Sequence, residues 1–281
     1  MSHTPNSRPT WQLPEGVSRG AWDYVNTRSI ATEYDSFHRD HPLLAYDQQV
    51  ILTQADFLDS QPQSPSSTSV PSKIAIDLGC GTGRSLFPLA ERGWRAIGID
   101  LSEPMLQEVR TKIHERSVCD SVATIHANMV EFNFLKENSI DLALCMYSSI
   151  GMIRGRSNRR RVFQAVARTL KRTGRFIVHV HNRGAWIRDP NGIRLTLDGW
   201  WKELRKADWE LGDRIYSYRG LPNMFLHIYS RKELEKDLRS ADLKIIETLS
   251  LNRHSSGPLG YPRFFPHFRA GGFIAIAASS E

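Results

Sequence analysis

Residues 77–83 read Asp77-Leu78-Gly79-Cys80-Gly81-Thr82-Gly83, with three glycines at alternate positions. A bend without Cβ atoms leaves its peptide N–H groups bare and lets a ligand lie against the backbone. A second candidate is Asp100, which closes the short apolar run Ala96-Ile97-Gly98-Ile99. A carboxylate there can accept hydrogen bonds from both hydroxyls of a ribose. The dinucleotide fingerprint places glycine first, third and sixth in such a bend, but here the sixth residue is the long Arg84. Asp77 would also sit badly beside a diphosphate and well beside an ammonium group. Together these residues describe a ligand with a ribose and a positive charge, and without a phosphate.

Those residues can act together only if strands deliver them to one edge. Ile74–Leu78, Arg95–Ile99, Ser121–His126, Ile140–Met146 and Arg175–Val180 are short apolar runs that read as five strands. Between them, Arg84–Glu91 reads as a helix ended by Gly93, and Ser102 caps a helix through Met105, Val109 and Ile113. Val162, Val166 and Leu170, four apart, mark a third. Ser230-Arg231-Lys232-Glu233 is a capping box opening a helix to about Ala241, and Leu243–Leu249 and Gly272–Ala278 finish as strands. Such alternation predicts an α/β fold, a parallel sheet covered on both faces.

Three segments flank this pattern. Residues 1–60 hold a polar tail to about Glu15 and then a helical pattern that includes Tyr46, Val50, Ile51, Phe57 and Leu58. Residues 61–72 are a Pro/Ser linker, and 73–281 form the main domain. Within it, 186–229 is rich in tryptophan and tyrosine, and Arg214–Tyr218 with Met224–Tyr229 suggest a hairpin around Gly220-Leu221-Pro222-Asn223.

The 281 residues are 40% hydrophobic and 24% charged, with a formal charge of +7, as expected of an ordinary globular chain with mild attraction to anions. Cys80, Cys119 and Cys145 are odd in number and far apart, which speaks against a disulfide framework. Neither a signal sequence nor a long apolar run is evident, so a cytoplasmic protein without a membrane span is expected.

The chain resembles the class I S-adenosylmethionine (SAM)-dependent methyltransferases. The resemblance rests on Asp77–Gly83, Gly98-Ile-Asp100-Leu-Ser-Glu-Pro-Met-Leu106, Ala127-Asn128-Met129, Ile140–Tyr147 and Leu170-Lys-Arg-Thr-Gly-Arg-Phe-Ile177, in that order. It implies a seven-stranded, mostly parallel, doubly wound sheet with an antiparallel last strand, an N-terminal helical cap and an insertion after the fifth strand. It also implies SAM as cofactor. Asp77, Gly79, Cys80, Gly81 and Gly83 would surround its methionine portion, Asp100 its ribose, and Leu101, Asn128 and Met129 its adenine, with Met146 at the end of the fourth strand. Asn128 departs from the aspartate common at that place, though an amide oxygen still accepts a hydrogen bond. A general base would come from the ends of the fourth and fifth strands, where Tyr147, Ser148, Ser149, His181 and Asn182 lie, with His181 and Tyr147 preferred.

Other features have plainer readings. His179 and His181 point to one face of a strand but lack a third ligand, so no metal is expected. Cys80 reads as packing and Cys145 as core. The Arg154–Arg175 basic region could follow RNA phosphates, yet Arg161, Arg168 and Lys171 lie opposite the apolar stripe like any solvated face. The aromatic insertion reads as a lid, with Trp22, Tyr24, Tyr34 and Asp35 as a second cover. A lid suits a small-molecule acceptor. The alternatives are a wobble-uridine-type tRNA acceptor and a regulatory module that binds SAM without turnover.

Overall fold

The computed structural model describes residues 12–61, 73–187, 192–205 and 208–280. Most of the linker and most of the polar tail lie outside them. Four helices come first: α1 (Arg19–Asn26), α2 (Arg28–Thr32), α3 (Tyr34–His38) and α4 (Pro42–Asp59). The strands are β1 (Ile74–Leu78), β2 (Arg95–Asp100), β3 (Val122–His126), β4 (Ile140–Cys145), β5 (Leu170–His181), a hairpin of β6 (Asp213–Tyr218) and β7 (Leu221–His227), then β8 (Leu243–Ser250) and β9 (Gly272–Ser279). The remaining helices are α5 (Leu86–Ala90), α6 (Glu103–Glu115), α7 (Arg156–Thr169), α8 (Arg183–Trp186), α9 (Gly192–Arg205), α10 (Arg231–Arg239) and α11 (Pro266–Arg269).

Seven strands form one sheet in the order β3-β2-β1-β4-β5-β9-β8. The pairs from β3 to β5 are parallel, and β9 runs antiparallel to both neighbours. The chain winds outward from β1 in one direction and from β4 in the other. The crevice between their carboxyl ends is where an open α/β sheet binds ligands. Ser102 caps α6 by accepting from the Met105 N–H, and Ser230 with Glu233 completes the capping box of α10, as expected from the sequence.

The two faces are covered by different layers. Val162, Phe163 and Val166 of α7 and Leu234 and Leu238 of α10 share one apolar cluster with the sheet. On the other face α4, α5 and α6 supply Val50, Ile51, Ala55, Leu86, Leu89, Leu106 and Val109. Thus α4 belongs to the layer that covers the sheet, although the linker had marked it off. Arg84 explains part of this attachment. It occupies the place where close packing wants glycine, but its guanidinium reaches to α4, donating to the Leu44 carbonyl at 2.8 Å and facing Asp47 at 3.9 Å.

The hairpin turn is tighter than expected, since Leu221, Pro222 and Asn223 already belong to β7. Helix α1 crosses β7 so closely that a Cβ on Gly20 would lie 2.2 Å from the Asn223 carbonyl oxygen. The N-terminal helices and the hairpin therefore form one roof over the crevice.

Candidate active site

Gly79 follows β1, Asp100 ends β2, Tyr147 follows β4 and His181 ends β5, so the sheet brings all four to one edge. They line a cavity of about 380 Å³. Its floor includes Gly79 and Gly81, and its walls include Asp100, Leu101, Asn128, Met129, Tyr147, Ser148, Ser149 and His181. Tyr24 and Tyr34 from the N-terminal helices, and Tyr216, Tyr218, Met224 and Leu226 from the hairpin, close it above.

The bend after β1 is anchored from beneath, where Gly79 and Cys80 donate to the Ile99 carbonyl at 2.7 and 3.2 Å. Gly81 has φ +54°, and a Cβ built on it would meet nothing nearer than Tyr34 Cε1 at 4.0 Å. That direction is open cavity. Asp100 binds across the bend, accepting from the Gly81 N–H at 2.8 Å and the Ser102 N–H at 2.7 Å. Burial raises its carboxyl pKa, and these backbone donors, with that of Leu101, pull the other way. One carboxylate thus braces the glycine bend and still faces the ligand space.

Four residues expected at the ligand lie elsewhere. Asp77 is buried and is not on the cavity wall. Burial pushes its carboxyl up to about 7, opposed first by Arg84. Cys80 and Met146 point into the apolar layer that holds α5, and burial raises the Cys80 thiol far above its usual range, which makes it inert. A Cβ on Gly83 would press on Phe87 and Val109 rather than on ligand. These residues shape the bend from behind.

Asn128 has a use that composition could not show. Its Oδ1 accepts from the Val130 N–H at 3.1 Å, and its Nδ2 donates to the Glu15 carbonyl at 3.0 Å. An aspartate could not donate, and its charge would face that carbonyl. The segment held in this way continues through Gly16 and Val17, both on the cavity wall, and Val17 forms a β-bridge to Ile153. The sequence does not place this strap, Met152 or Ile153 in the wall, since no local motif marks them; Met105, also in the wall, lies in the motif that follows Asp100.

At the end of β4, Tyr147 (φ 52°) and Ser148 (φ 61°) are consecutive non-glycine residues in the left-handed region. Such backbone is costly and concentrates at functional sites. Here it accompanies the entry of Tyr147 into the cavity wall. Tyr147 is packed edge-on to His38, His41 and His181. Burial pushes the Tyr147 phenol up to about 12 and, with help from His41, the His181 imidazole down to about 4. A general base works best near the operating pH, and these two lie on opposite sides of it. Asn182 is fully engaged, donating to the His267 and Ala270 carbonyls and accepting from the Gly184 N–H. Ser149 donates to the Met146 carbonyl.

The Tyr34-Asp35 pair ties the roof to the bend. Asp35 accepts from Thr82 Oγ1 and Lys112 Nζ, both at 2.5 Å, and Lys112 also donates to the Thr82 carbonyl. Trp22 is not on the cavity wall. Of residues 186–229, expected to form a lid, those described that line the cavity all belong to the hairpin; Trp200 and Trp201 of α9 are about half exposed and take no part in the wall.

The basic region differs from a solvated face at one point, because Arg159 is wholly buried and pairs with Glu210 at 2.7 Å. Arg156 and Arg160 share the buried carboxylate of Asp237, Arg154 pairs with Asp208, Arg161 with Glu15, Arg168 with Glu137 and Lys171 with Asp141. Glu210, His227 and Glu233 approach one another as metal ligands would. Arg159 and Arg183 already neutralise the two glutamates, and both nitrogens of His227 meet carboxylates, of Asp213 and Glu233. No helix among the described residues is long and apolar enough to cross a membrane.

A methyltransferase-domain family model matches residues 75–174, the stretch from β1 into β5 that builds the bend and the ends of β2 and β4. Over that stretch the chain carries a methyltransferase domain. Bacillus subtilis YqeM, named as a methyltransferase without a stated acceptor, is 31% identical over 115 residues, 41% of this chain and 45% of that protein. A Streptomyces cypemycin N-terminal methyltransferase is 46% identical over 46 residues, 16% of this chain and 19% of the relative. The match thus spans less than half the length of these curated relatives. Among solved structures, a SAM-dependent methyltransferase from Clostridium acetobutylicum has a TM-score of 0.59 at 16% identity, covering 90% of this chain and 98% of its own. The Burkholderia thailandensis 1,6-didemethyltoxoflavin-N1-methyltransferase, bound to its acceptor and S-adenosylhomocysteine, has a TM-score of 0.58 at 15% identity, covering 90% of this chain and 85% of its own. At these identities the likeness is one of fold.

Proposed function

We propose that this chain transfers a methyl group from SAM to a small-molecule acceptor held in the same cavity. The observation that carries the reading is the Gly81 bend, whose missing Cβ opens onto the cavity while Asp100 holds its N–H from the far side. When bound, SAM supplies an electrophilic methyl on a sulfonium. The N–H groups of Gly79–Gly81, which the sequence suggested were bare, are taken up by Ile99 and Asp100. This backbone would still lie along the methionine portion of SAM, and Asp100 would accept from its ribose hydroxyls with the lone pairs that Gly81 and Ser102 leave free. Leu101, Met129 and Asn128 would border its adenine, with the Val17 strap alongside.

Asp77 would act at a distance. A ligand ammonium above the bend would favour its charged form and lower its pKa from about 7. The roof of Tyr24, Tyr34 and the hairpin would exclude water and align the acceptor, which is most of what an in-line displacement requires of a protein. A roofed cavity of about 380 Å³ supports a small acceptor. The pairing of Arg154, Arg156, Arg159, Arg160 and Arg161 with carboxylates gives an RNA acceptor little to bind.

The test has two arms. Calorimetry with S-adenosylhomocysteine should show binding, and absence of heat at near-millimolar ligand would reject the donor site. Methyl-labelled SAM should then transfer label to a metabolite extract; transfer to tRNA instead would overturn the acceptor class, and binding without any transfer would favour a regulatory module.

A further inference from the structure

We propose that the acceptor is a flat aromatic molecule presenting an uncharged amine or ring nitrogen, which becomes ammonium as it is methylated against the tyrosine wall. This inference rests on the methyl-transfer reading of the cavity given above.

Charge in the wall is the first reason. Among the described residues that line the cavity there is no lysine or arginine, and the only carboxylate is that of Asp100. Arg84 and Arg219 are not on the wall and have partners of their own: Arg84 is held by the Leu44 carbonyl and Asp47, and Arg219 by Glu33 and the Ile30 carbonyl, over the ring of Phe37. An acceptor carboxylate or phosphate would therefore enter a low-dielectric space with no cationic side chain on its wall and with Asp100 opposing it.

The rings are the second reason. Tyr24, Tyr34, Tyr147, Tyr216 and Tyr218 all line one cavity, with the centroids of Tyr24 and Tyr218 6.0 Å apart. Aromatic faces carry negative potential, stack on flat rings and attract cations. Such a wall discriminates in favour of a nascent ammonium.

Proton accounting is the third. With the phenols of Tyr24, Tyr34 and Tyr147 raised and His181 lowered by burial, none of these four is poised to remove a proton from a hydroxyl during transfer, and Asp100 is engaged by the Gly81 and Ser102 N–H groups. An uncharged nitrogen needs no base, because its lone pair is already available. That pair forms the N–C bond while the S–C bond breaks and its electrons stay on sulfur as a thioether. The positive charge passes from sulfonium to ammonium, and a proton on that nitrogen, where present, leaves to water afterwards.

The test uses three probes with one ring system and three charges: 1-naphthylmethylamine, 1-naphthalenemethanol and 1-naphthoate. Each is titrated into the full chain saturated with S-adenosylhomocysteine at pH 7. The ammonium of the first stands in for a methylated product. It should bind most tightly, with the naphthoate at least about 10-fold weaker. Tyr216→Leu and Tyr218→Leu should each weaken amine binding by about 5-fold, and by more than they weaken S-adenosylhomocysteine binding, and Tyr216→Phe should hold amine binding within about 2-fold. Equal binding of the probes, tighter binding of naphthoate, no binding of any probe beside bound S-adenosylhomocysteine, or amine binding untouched by both leucine variants would overturn the inference. Failure of S-adenosylhomocysteine itself to bind would instead strike the methyl-transfer reading.

Discussion

Gly81→Ala separates ligand space from backbone strain. At φ +54° an alanine suffers the left-handed penalty, about 1–2 kcal/mol. Its Cβ meets no protein atom closer than 4.0 Å, so no clash adds to this. Gly93 is the matched control: φ is +82°, nothing lies within 4 Å of its Cβ, and it sits in the turn after α5, away from the cavity. Both alanine variants should lower Tm by a few degrees, roughly 2–4 °C per kcal/mol for a chain near this size. They should part on the ligand. The Gly81 methyl occupies the volume the donor needs, and intrusion of that kind costs about 1–3 kcal/mol, or roughly 5- to 150-fold in affinity. Gly81→Val should be worse, and Gly93→Ala should bind as the parent does. Scanning fluorimetry gives the first quantity and calorimetry with S-adenosylhomocysteine the second. If Gly81→Ala lost stability like Gly93→Ala yet kept full affinity, the open direction at Gly81 would not be donor space.

Three further outcomes follow from named contacts. Asp100→Ala should weaken S-adenosylhomocysteine binding by about 1–3 kcal/mol in the same titration, with the fold retained by circular dichroism; unchanged affinity would contradict its place at the ribose. Asn128→Asp should release the strap, because its carboxylate faces the Glu15 carbonyl; faster hydrogen exchange or proteolysis near residues 15–17 checks this, and unchanged protection would refute it. Asp47 is buried against His179 and Arg84, and burial pushes its carboxyl up to about 7 from an ordinary 3.8. The folded state therefore holds a proton that the unfolded state releases, so stability should fall as pH rises from about 4 to about 7. Asp47→Asn should gain about 1–3 kcal/mol at pH 8 and nothing at pH 4 in denaturant titrations. Equal gains at both pH values would remove that explanation.

What the sequence exposed is what is local. The glycine bend, the acid closing β2, the caps at Ser102 and Ser230 and the aromatic hairpin are each set within a dozen residues, and each stands near where its pattern places it. The cavity wall is not local. Tyr24, Tyr34, Tyr147, Tyr216 and Tyr218 come from three distant stretches and meet because α1 lies on β7 and Asp35 is tied to Thr82 and Lys112. Asp77 read as a ligand contact from its position in the bend, but the last residues of a parallel strand are buried, and its side chain stays below. Asn128 looked like a weakened adenine contact; only the path of the strap shows why an amide is useful there. The left-handed turn at Tyr147 and Ser148 carries no glycine and left no mark in the sequence.

The most direct measurement is electron density from a crystal soaked with S-adenosylhomocysteine. The expected result is a ligand whose amino-acid portion lies along Gly79–Gly81 and whose ribose hydroxyls face Asp100, with its sulfur turned toward Tyr147 and the hairpin tyrosines. Ligand bound at another place, or an empty crevice at saturating concentration, would contradict the claim that this bend and this acid hold the methyl donor.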